Sequence, residues 1–117
     1  MGDRSKKFKR QKQDIFSVLN VELSDIENHI KREKQKARDL RHSSWWKKKI
    51  ASGICYYCGR KYKPSELTMD HVIPLSRGGN SDKINIVACC KECNTKKKAL
   101  LPVEWEEYLQ TIKKMSS

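Results

Sequence analysis

Residues 55–58 read Cys-Tyr-Tyr-Cys and residues 90–93 read Cys-Lys-Glu-Cys, two cysteine pairs with the same spacing. A Cys-x-x-Cys turn directs two thiolates at one metal ion, and two such turns complete the tetrahedral shell that Zn²⁺ prefers. Because four protein ligands leave no open coordination position, we expect a structural rather than a catalytic zinc. The alternative is a redox-active Cys-x-x-Cys pair with incidental thiols. The predicted zinc ligands are Cys55, Cys58, Cys90 and Cys93.

The fifth cysteine, Cys89, stands outside this spacing. Five cysteines cannot all pair in disulfides, and the basic N-terminus is not followed by the apolar segment of a secretory signal. Both features favour a reducing compartment, where clustered cysteines more often bind metal. We expect Cys89 to fill a core position as a small apolar side chain.

The composition restricts the class of protein. The chain has 117 residues, of which 37% are apolar and 34% charged, and its net charge is +12. This length corresponds to one domain. A membrane-spanning helix needs about 18 uninterrupted apolar residues, and the sequence contains no such run. The charge predicts a polyanionic partner, most simply nucleic acid, although a solvated basic face or a basic tail would have the same composition.

The charge is distributed unevenly along the chain. Residues 1–53 have a balance of +8, residues 54–101 of +5 and residues 102–117 of −1. We predict a basic, mostly helical extension over 1–53, a compact core over 54–101 and a C-terminal helix over 102–117 that packs on the core. A core of 48 residues seldom buries enough apolar surface to fold alone, which is a further reason to expect a metal staple.

Local patterns predict the secondary structure of the extension. Residues 1–13 are mostly basic and polar, which is typical of a mobile arm. The apolar segment 15–23 is compatible with helix or strand. Ser24 and Glu27 form a capping-box pattern that predicts a helix from Ser24 to about Leu40. One stripe of this helix would contain Ile26, Ile30, Ala37 and Leu40.

The rest of the chain reads as short elements separated by turns. We predict a helix over 45–50 that ends at Gly53, strands over 67–73 and 84–88, a helix over 92–100 and a last helix beginning at Pro102. Trp105 and Tyr108 are three residues apart, so we expect them to dock the last helix.

A further set of residues lies in order between and after the cysteine pairs: Asp70-His71, then Asn85, then Asn94-Thr95-Lys96-Lys97 directly after the last cysteine. Together with the cysteines, they closely resemble the HNH endonuclease family, whose core is called the ββα-metal fold. The resemblance covers about residues 54–101, and Asn94 stands where the family name implies a second histidine, as in the HNN variants. It implies an α+β protein: a small ββα-metal core stapled by a four-cysteine zinc, flanked by basic N-terminal helices and a C-terminal helix.

The resemblance also implies an activity, the metal-dependent hydrolysis of DNA phosphodiester bonds with one strand nicked per active site. Asp70 and Asn94 would hold the catalytic ion, and their oxygen ligands suit Mg²⁺ or Mn²⁺. His71, with an unperturbed pKa of about 6.5, can act as the general base near pH 7, and Asn85 would brace the loop that carries it. Adjacent strand residues point to opposite faces, so Asp70 and His71 can reach one phosphate only if the backbone bends. A lone histidine of this kind would more simply be a hydrogen-bonded core residue.

Several basic residues could form only a solvated face, but beside a phosphate-cleaving site we favour contacts with the DNA backbone. The candidates are Arg77, Lys96, Lys97, Lys98, Lys47, Lys48 and Lys49. Trp45 and Trp46 could stack on a base, but we favour a role in covering the zinc core. His29 and His42 have no such sequence context, and we assign them no function.

Two other functions fit the same residues. A non-catalytic zinc module that binds nucleic acid would share the cysteines and the charge, but would not need Asp70, His71 and Asn94 together. A toxin DNase held by an acidic immunity partner is the third hypothesis. For the favoured hypothesis we expect DNA as the partner, no membrane, a monomer or weak dimer, and the cytoplasm of a bacterial or phage-infected cell.

Overall fold

The structure is a computed structural model that describes the backbone of residues 2–115 and the side chains of residues 22–115. The chain divides into two compact units, Met1–Arg32 and Glu33–Ser117. The described part is an α+β structure of four α-helices and one two-stranded sheet, as the sequence predicted. Its elements are α1 (Gly2–Arg41), α2 (Ser44–Ala51), β1 (Leu67–His71), β2 (Ile86–Cys90), α3 (Lys91–Lys97) and α4 (Pro102–Met115).

Helix α1 runs without interruption through residues for which the sequence predicted three different states. The predicted helix start at Ser24 is wrong, since residues 2–13 and the ambiguous segment 15–23 are already helical. The mobility expected for the basic arm stays a prediction. The physical reason is that the helix contains no proline, and its only glycine is Gly2. Extending an existing helix costs far less free energy than starting a new one, so Ser24 lies inside the helix instead of capping it.

A serine cap begins helix α2, and a glycine turn follows its end. The Ser43 side chain caps its N-terminus by accepting a hydrogen bond from the Trp46 amide. After its C-terminus the chain turns at Gly53, which has a φ of +70° and accepts a hydrogen bond from the Tyr62 amide at 2.6 Å. A Cβ at this position would lie 2.3 Å from the Tyr62 carbonyl oxygen, so only glycine fits. The predicted end of the helix near Gly53 is confirmed.

Strands β1 and β2 pair antiparallel, with a register from Leu67 opposite Cys90 to His71 opposite Ile86. Side chains alternate between the two faces of such a pair. On one face, Leu67 and Met69 pack toward Trp46 of α2. The buried residues of this small apolar core are Trp46, Leu67, Ile86 and Ala88.

Several element boundaries differ from the sequence prediction. The first strand was expected over residues 67–73, but β1 ends at His71, because the chain bends at Val72 and Ile73. The second strand was expected over residues 84–88, but Lys83–Asn85 forms a single 3₁₀ turn and β2 occupies Ile86–Cys90. The turn forms because the Asn85 amide bonds back to the Asp82 carbonyl. The helix expected over 92–100 ends earlier, at Lys97, because Lys98 adopts a positive φ of 48°.

Helix α4 begins at Pro102, as predicted. The Glu104 side chain caps this end by accepting a hydrogen bond from the Leu101 amide at 2.9 Å. Trp105 is buried and meets the ring of Tyr57 edge-to-face at 5.8 Å, while Tyr108 stacks on Trp105 at 5.5 Å. The predicted docking of the last helix through Trp105 is therefore confirmed. None of the helices in the described part of the chain combines the length and apolar character needed to cross a bilayer.

Candidate active site

The structure brings the four predicted zinc ligands together. Their sulfur atoms all lie within 4.8 Å of one another, and the Sγ atoms of Cys58 and Cys90 are 3.9 Å apart. A tetrahedral zinc with Zn–S bonds of about 2.3 Å requires S···S separations of about 3.8 Å. The cluster is thus positioned to bind a metal ion, and its geometry is consistent with zinc.

Backbone amides support the sulfur atoms of this cluster. The Cys58 amide donates to the Cys55 Sγ at 3.5 Å, and the Cys93 amide donates to the Cys90 Sγ at 3.4 Å. Each pair therefore forms the same turn, in which an amide faces the first sulfur and stabilises negative charge there. The Cys90 side chain also caps the N-terminus of α3, so the four-cysteine cluster and the start of this helix share a residue.

Cys89 is the buried neighbour of the cluster and not part of it. Its side chain is fully buried in the core, and all five cysteines, which lie in the described part of the chain, are free of disulfides. Burial raises the pKa of the Cys89 thiol to about 12, so the thiol stays neutral. The expectation of a small apolar core residue is confirmed.

Asp70 lies on the face of β1 that is opposite the apolar core, and only 8% of its surface is exposed. The Tyr57 hydroxyl donates to the Asp70 Oδ2 at 2.5 Å, and the Lys97 Nζ lies 3.1 Å from the same oxygen. Burial, together with the hydrogen bond to Asp70, raises the pKa of Tyr57, which keeps its hydroxyl protonated as the donor. Tyr57 and Lys97 both contact the Oδ2 atom of Asp70, and neither of these two contacts involves Oδ1.

Lys97 does not occupy the position that the sequence suggested. Its side chain is fully buried, its Nζ pairs with Asp70, and it also donates to the His71 carbonyl at 3.3 Å. The prediction that Lys97 contacts the DNA backbone is therefore wrong for this structure. The reason is that α3 directs this position at β1, where the buried Asp70 carboxylate needs a cation.

Asn94 lies on α3 and faces the same side of β1 as Asp70. Its Nδ2 donates to the Thr68 Oγ1 at 3.0 Å, and Thr68 precedes Asp70 by two residues on the strand. Because residues i and i+2 of a strand share a face, Asn94 and Asp70 lie on the same side of the sheet. With Nδ2 used as the donor, the amide oxygen of Asn94 is available as an acceptor or metal ligand.

His71 points to the other face of the strand. Its Nε2 lies 2.9 Å from the Ser81 Oγ, and the Ser81 hydroxyl donates to the backbone carbonyl of Glu33 on α1. Burial lowers the pKa of His71, although the charge of Asp70 acts in the opposite direction, so the imidazole is neutral at pH 7. The chain bends at Val72 and Ile73, after His71 and not between Asp70 and His71.

Asn85 connects the segment after His71 to the loop before β2. Its Oδ1 accepts a hydrogen bond from the Ile73 amide at 2.9 Å, and its Nδ2 donates to the Ile73 carbonyl at 3.0 Å and to the Asn80 carbonyl at 2.8 Å. Asn85 is buried, and its backbone carbonyl also accepts from the Val72 amide. These bonds join the segment that follows His71 to the loop that contains Ser81, the partner of the His71 side chain.

The other predicted DNA contacts lie in differing surroundings. Arg77 is exposed, but its Nη1 donates to Glu104 at 3.0 Å and so connects its loop to α4. Lys96 pairs with Glu92 at 2.8 Å, and Lys98 is exposed. Lys47 and Lys48 are exposed on α2. The Nζ of Lys49 instead lies 5.2 Å from the centre of the Trp45 ring. For these residues, contact with DNA stays a prediction.

The two neighbouring tryptophans cover the sheet and not the cysteine cluster. Trp46 is buried in the apolar core, and Trp45 packs against that core from its edge. The expectation that they cover the small core of the zinc-stapled segment is confirmed, because Trp46 packs with Leu67, Ile86 and Ala88 of that segment.

Three residues at the site were missed by the sequence reasoning: Tyr57, Ser81 and Glu33. Glu33 had a detectable signal, because it lies between Ile30 and Ala37 on the apolar stripe of α1, where a charged residue is unexpected. Tyr57 and Ser81 had none, since a tyrosine between two cysteines and a serine in a polar loop are both unremarkable.

Residues 55–109 match the HNH endonuclease family. This HNH segment contains all four clustered cysteines and the residues Asp70, His71, Asn85, Asn94 and Lys97. The family inferred from the sequence is confirmed over this segment, which indicates a nuclease-type function with nucleic acid as the class of substrate. A search of curated proteins finds no match to the chain.

Proposed function

We propose that this protein is a metal-dependent HNH endonuclease that hydrolyses DNA phosphodiester bonds and nicks one strand per active site. The observation that carries the proposal is the position of Asp70 and Asn94 on one face of β1 within a segment that matches the family. A module that only binds nucleic acid would have no need for this pair of oxygen ligands beside a histidine.

In this proposal Asp70 and Asn94 hold one divalent ion, Mg²⁺ or Mn²⁺, through a carboxylate and an amide oxygen. The donor set fits, because Asp70 contacts Tyr57 and Lys97 through Oδ2 alone and Asn94 uses only its nitrogen toward Thr68. When bound, such an ion stabilises negative charge on the phosphate and on the leaving oxygen. Since Lys97 already neutralises Asp70, we expect the ion to bind weakly until a DNA phosphate supplies further oxygens.

His71 would act as the general base that accepts the proton of the attacking water. Its lowered pKa supports this role, because a neutral imidazole at pH 7 can accept a proton. His71 is the last residue of β1, and the chain bends directly after it, so a phosphate at this end of the sheet can meet residues of both faces. Asn85 would keep the bend in place through its bonds to Ile73.

We further propose that the four-cysteine cluster binds a structural zinc and that residues 1–53 grip the DNA backbone. Residues 54–101 would be the nuclease core, with helix α4 packed on it. The exposed Lys47 and Lys48 support this proposal, since lysines bind phosphates with little sequence preference. Binding should weaken with salt, with a log–log slope of about −0.9 per phosphate contact, so a flat salt response would contradict the grip.

The decisive test is nicking of a supercoiled plasmid in Mg²⁺ or Mn²⁺ by the wild type and by His71→Ala. We expect loss of the base to lower the rate by about 10²- to 10⁴-fold. His42→Ala is a matched control, because His42 is exposed at the end of α1, and should nick like the wild type. A wild type that leaves the plasmid supercoiled in both metals, or a His71→Ala variant with full activity, would contradict the proposal.

One observation favours a second candidate, a zinc-containing module that binds nucleic acid without cutting it. The Lys97 ammonium lies against Asp70 and takes the place that a cation would otherwise hold. If this pair excludes the divalent ion, the wild type should bind DNA equally well with and without Mg²⁺ and should produce no nicks.

A further inference from the structure

The histidine side of the site depends on a helix outside the HNH segment. His71 contacts Ser81, and Ser81 contacts Glu33 on α1, 22 residues before the segment begins at residue 55. Both Ser81 and Glu33 are buried, with 4% and 6% of their surfaces exposed. Because these contacts are shielded from water, the buried groups must serve as donors and acceptors for one another.

Those roles follow from counting protons. The Glu33 backbone carbonyl can only accept a hydrogen bond, and the Ser81 hydroxyl has a single proton, which it donates to that carbonyl. The Ser81 Oγ must therefore be the acceptor in its contact with the His71 Nε2, which lies 2.9 Å away. A neutral imidazole carries one proton, so a proton on Nε2 leaves the lone pair on Nδ1.

The Glu33 side chain holds the other end of this chain of contacts. Its Oε2 accepts a hydrogen bond from the Ser81 amide at 3.3 Å, while its Oε1 lies 3.4 Å from the Lys36 Nζ. Glu33 thus binds Ser81 twice, through its side chain and through its backbone. This double contact fixes the hydroxyl against the imidazole and explains a buried carboxylate on the apolar stripe of α1.

We propose that Ser81 and Glu33 are positioning residues that hold His71 in the tautomer with its proton on Nε2, so that Nδ1 is the atom that accepts the proton of the attacking water. The kinetic part of this proposal rests on the proposed nuclease function, whereas the tautomer does not. It follows that α1 contributes to the active site directly, in addition to any grip on DNA.

The tautomer is tested by ¹⁵N NMR of the zinc-loaded, histidine-labelled full chain, at a pH where His71 is neutral. His71→Ala identifies the signals. We expect the wild type to show the proton on Nε2, and Ser81→Ala to show a mixture or a shift of the proton to Nδ1. Ser76→Ala is the matched control, because Ser76 is exposed in the same region, and should match the wild type. A wild-type proton on Nδ1 overturns the proposal even if Ser81→Ala fails to fold, and so does an unchanged tautomer in a folded Ser81→Ala variant.

The kinetic test separates positioning from a merely structural role. We expect Ser81→Ala to lower kcat about tenfold with KM nearly unchanged, because only the base is misplaced. Ser81→Thr, which keeps the hydroxyl, should retain the wild-type tautomer and most of kcat. If the wild type does not nick DNA but has the expected tautomer, the nuclease function fails while the assignment of His71 stands. If it nicks and Ser81→Ala has wild-type kcat, the positioning role is overturned.

A pair of substitutions at Glu33 tests the second contact. Glu33→Gln keeps an oxygen for the Ser81 amide, so we expect the wild-type tautomer. Glu33→Ala removes that oxygen, and the His71 signal should broaden or divide between tautomers. Equal spectra for the two folded variants would show that the Glu33 side chain does not position Ser81.

Discussion

The two faces of strand β1 are built in different ways. On the face of Asp70, the contacts come from Tyr57, Lys97 and, by way of Thr68, Asn94, all within the HNH segment. On the face of His71, the chain of contacts leaves that segment and ends on Glu33 of α1. The proposed metal ligands are therefore supported by the segment alone, whereas the proposed base depends on the helix that precedes it.

The electrostatics of the two faces also differ. Asp70 is neutralised by a fully buried ammonium, an arrangement in which either charge alone would be costly. His71 contacts a neutral hydroxyl and is itself neutral at pH 7 because burial lowers its pKa. The Asp70 face therefore depends on a charge pair, whereas the His71 face depends on donor and acceptor geometry.

The largest effect should come from a change that damages both faces at once, the loss of the proposed zinc from the four-cysteine cluster. Cys90→Ala removes a ligand and the N-terminal cap of α3. Structural zinc contributes an apparent binding free energy of about 10–16 kcal/mol, comparable to the whole stability of a small domain. We expect this variant to lose zinc and its cooperative thermal unfolding, as measured by atomic absorption and near-UV circular dichroism.

Cys89→Ala is the matched control for this prediction, because Cys89 is the adjacent buried cysteine and lies outside the cluster. It should keep about one zinc per chain, the stoichiometry of a single four-ligand site, and lose only about 1–2 kcal/mol of stability through its small cavity. Equal zinc content in Cys90→Ala and Cys89→Ala would show that the cluster does not bind the metal as assigned.

The next largest effect isolates the Asp70 face. Lys97→Met leaves the Asp70 carboxylate buried without its cation, which typically costs about 3–5 kcal/mol. The measurement is the free energy of unfolding in denaturant, in zinc and without divalent catalytic metal. Lys96→Met is the control, because Lys96 is exposed in its pair with Glu92, and it should change stability little. Similar losses in the two variants would mean that the Lys97–Asp70 pair is not buried as described.

The smallest of the three effects is expected from the hydroxyl group that contacts Asp70 on the same face. Tyr57→Phe keeps the ring against Trp105 but removes the hydroxyl that donates to Asp70, and a hydrogen bond to a charged group is worth about 1.5–3 kcal/mol. Tyr56→Phe is the control at the exposed neighbour. We expect a lower unfolding free energy for Tyr57→Phe alone, with the His71 tautomer unchanged. A change in that tautomer would show that the two faces are coupled.

Much of the metal cluster and of the fold class could be predicted from the sequence. The repeated Cys-x-x-Cys spacing is a local pattern whose chemistry allows few alternatives, and the structure gathers the same four residues. The start of α4 at Pro102 was likewise predictable, because proline is compatible only with the first turn of a helix. The start of α1 was not, since a capping pattern is a weak signal inside a long run of helix-forming residues.

Ligand spacing and motif order are properties of the chain, so the sequence was enough to nominate the candidate residues for the chemistry. The neighbours of each side chain, in contrast, depend on how distant segments pack in the tertiary structure. Lys97 is one of three consecutive lysines, and it is fully buried because its position on α3 faces Asp70. The neighbouring Lys98 is exposed to solvent. Ser81 and Glu33 are 48 positions apart and meet because the loop before β2 closes on α1. Such contacts depend on packing between distant segments, and no local pattern encodes them.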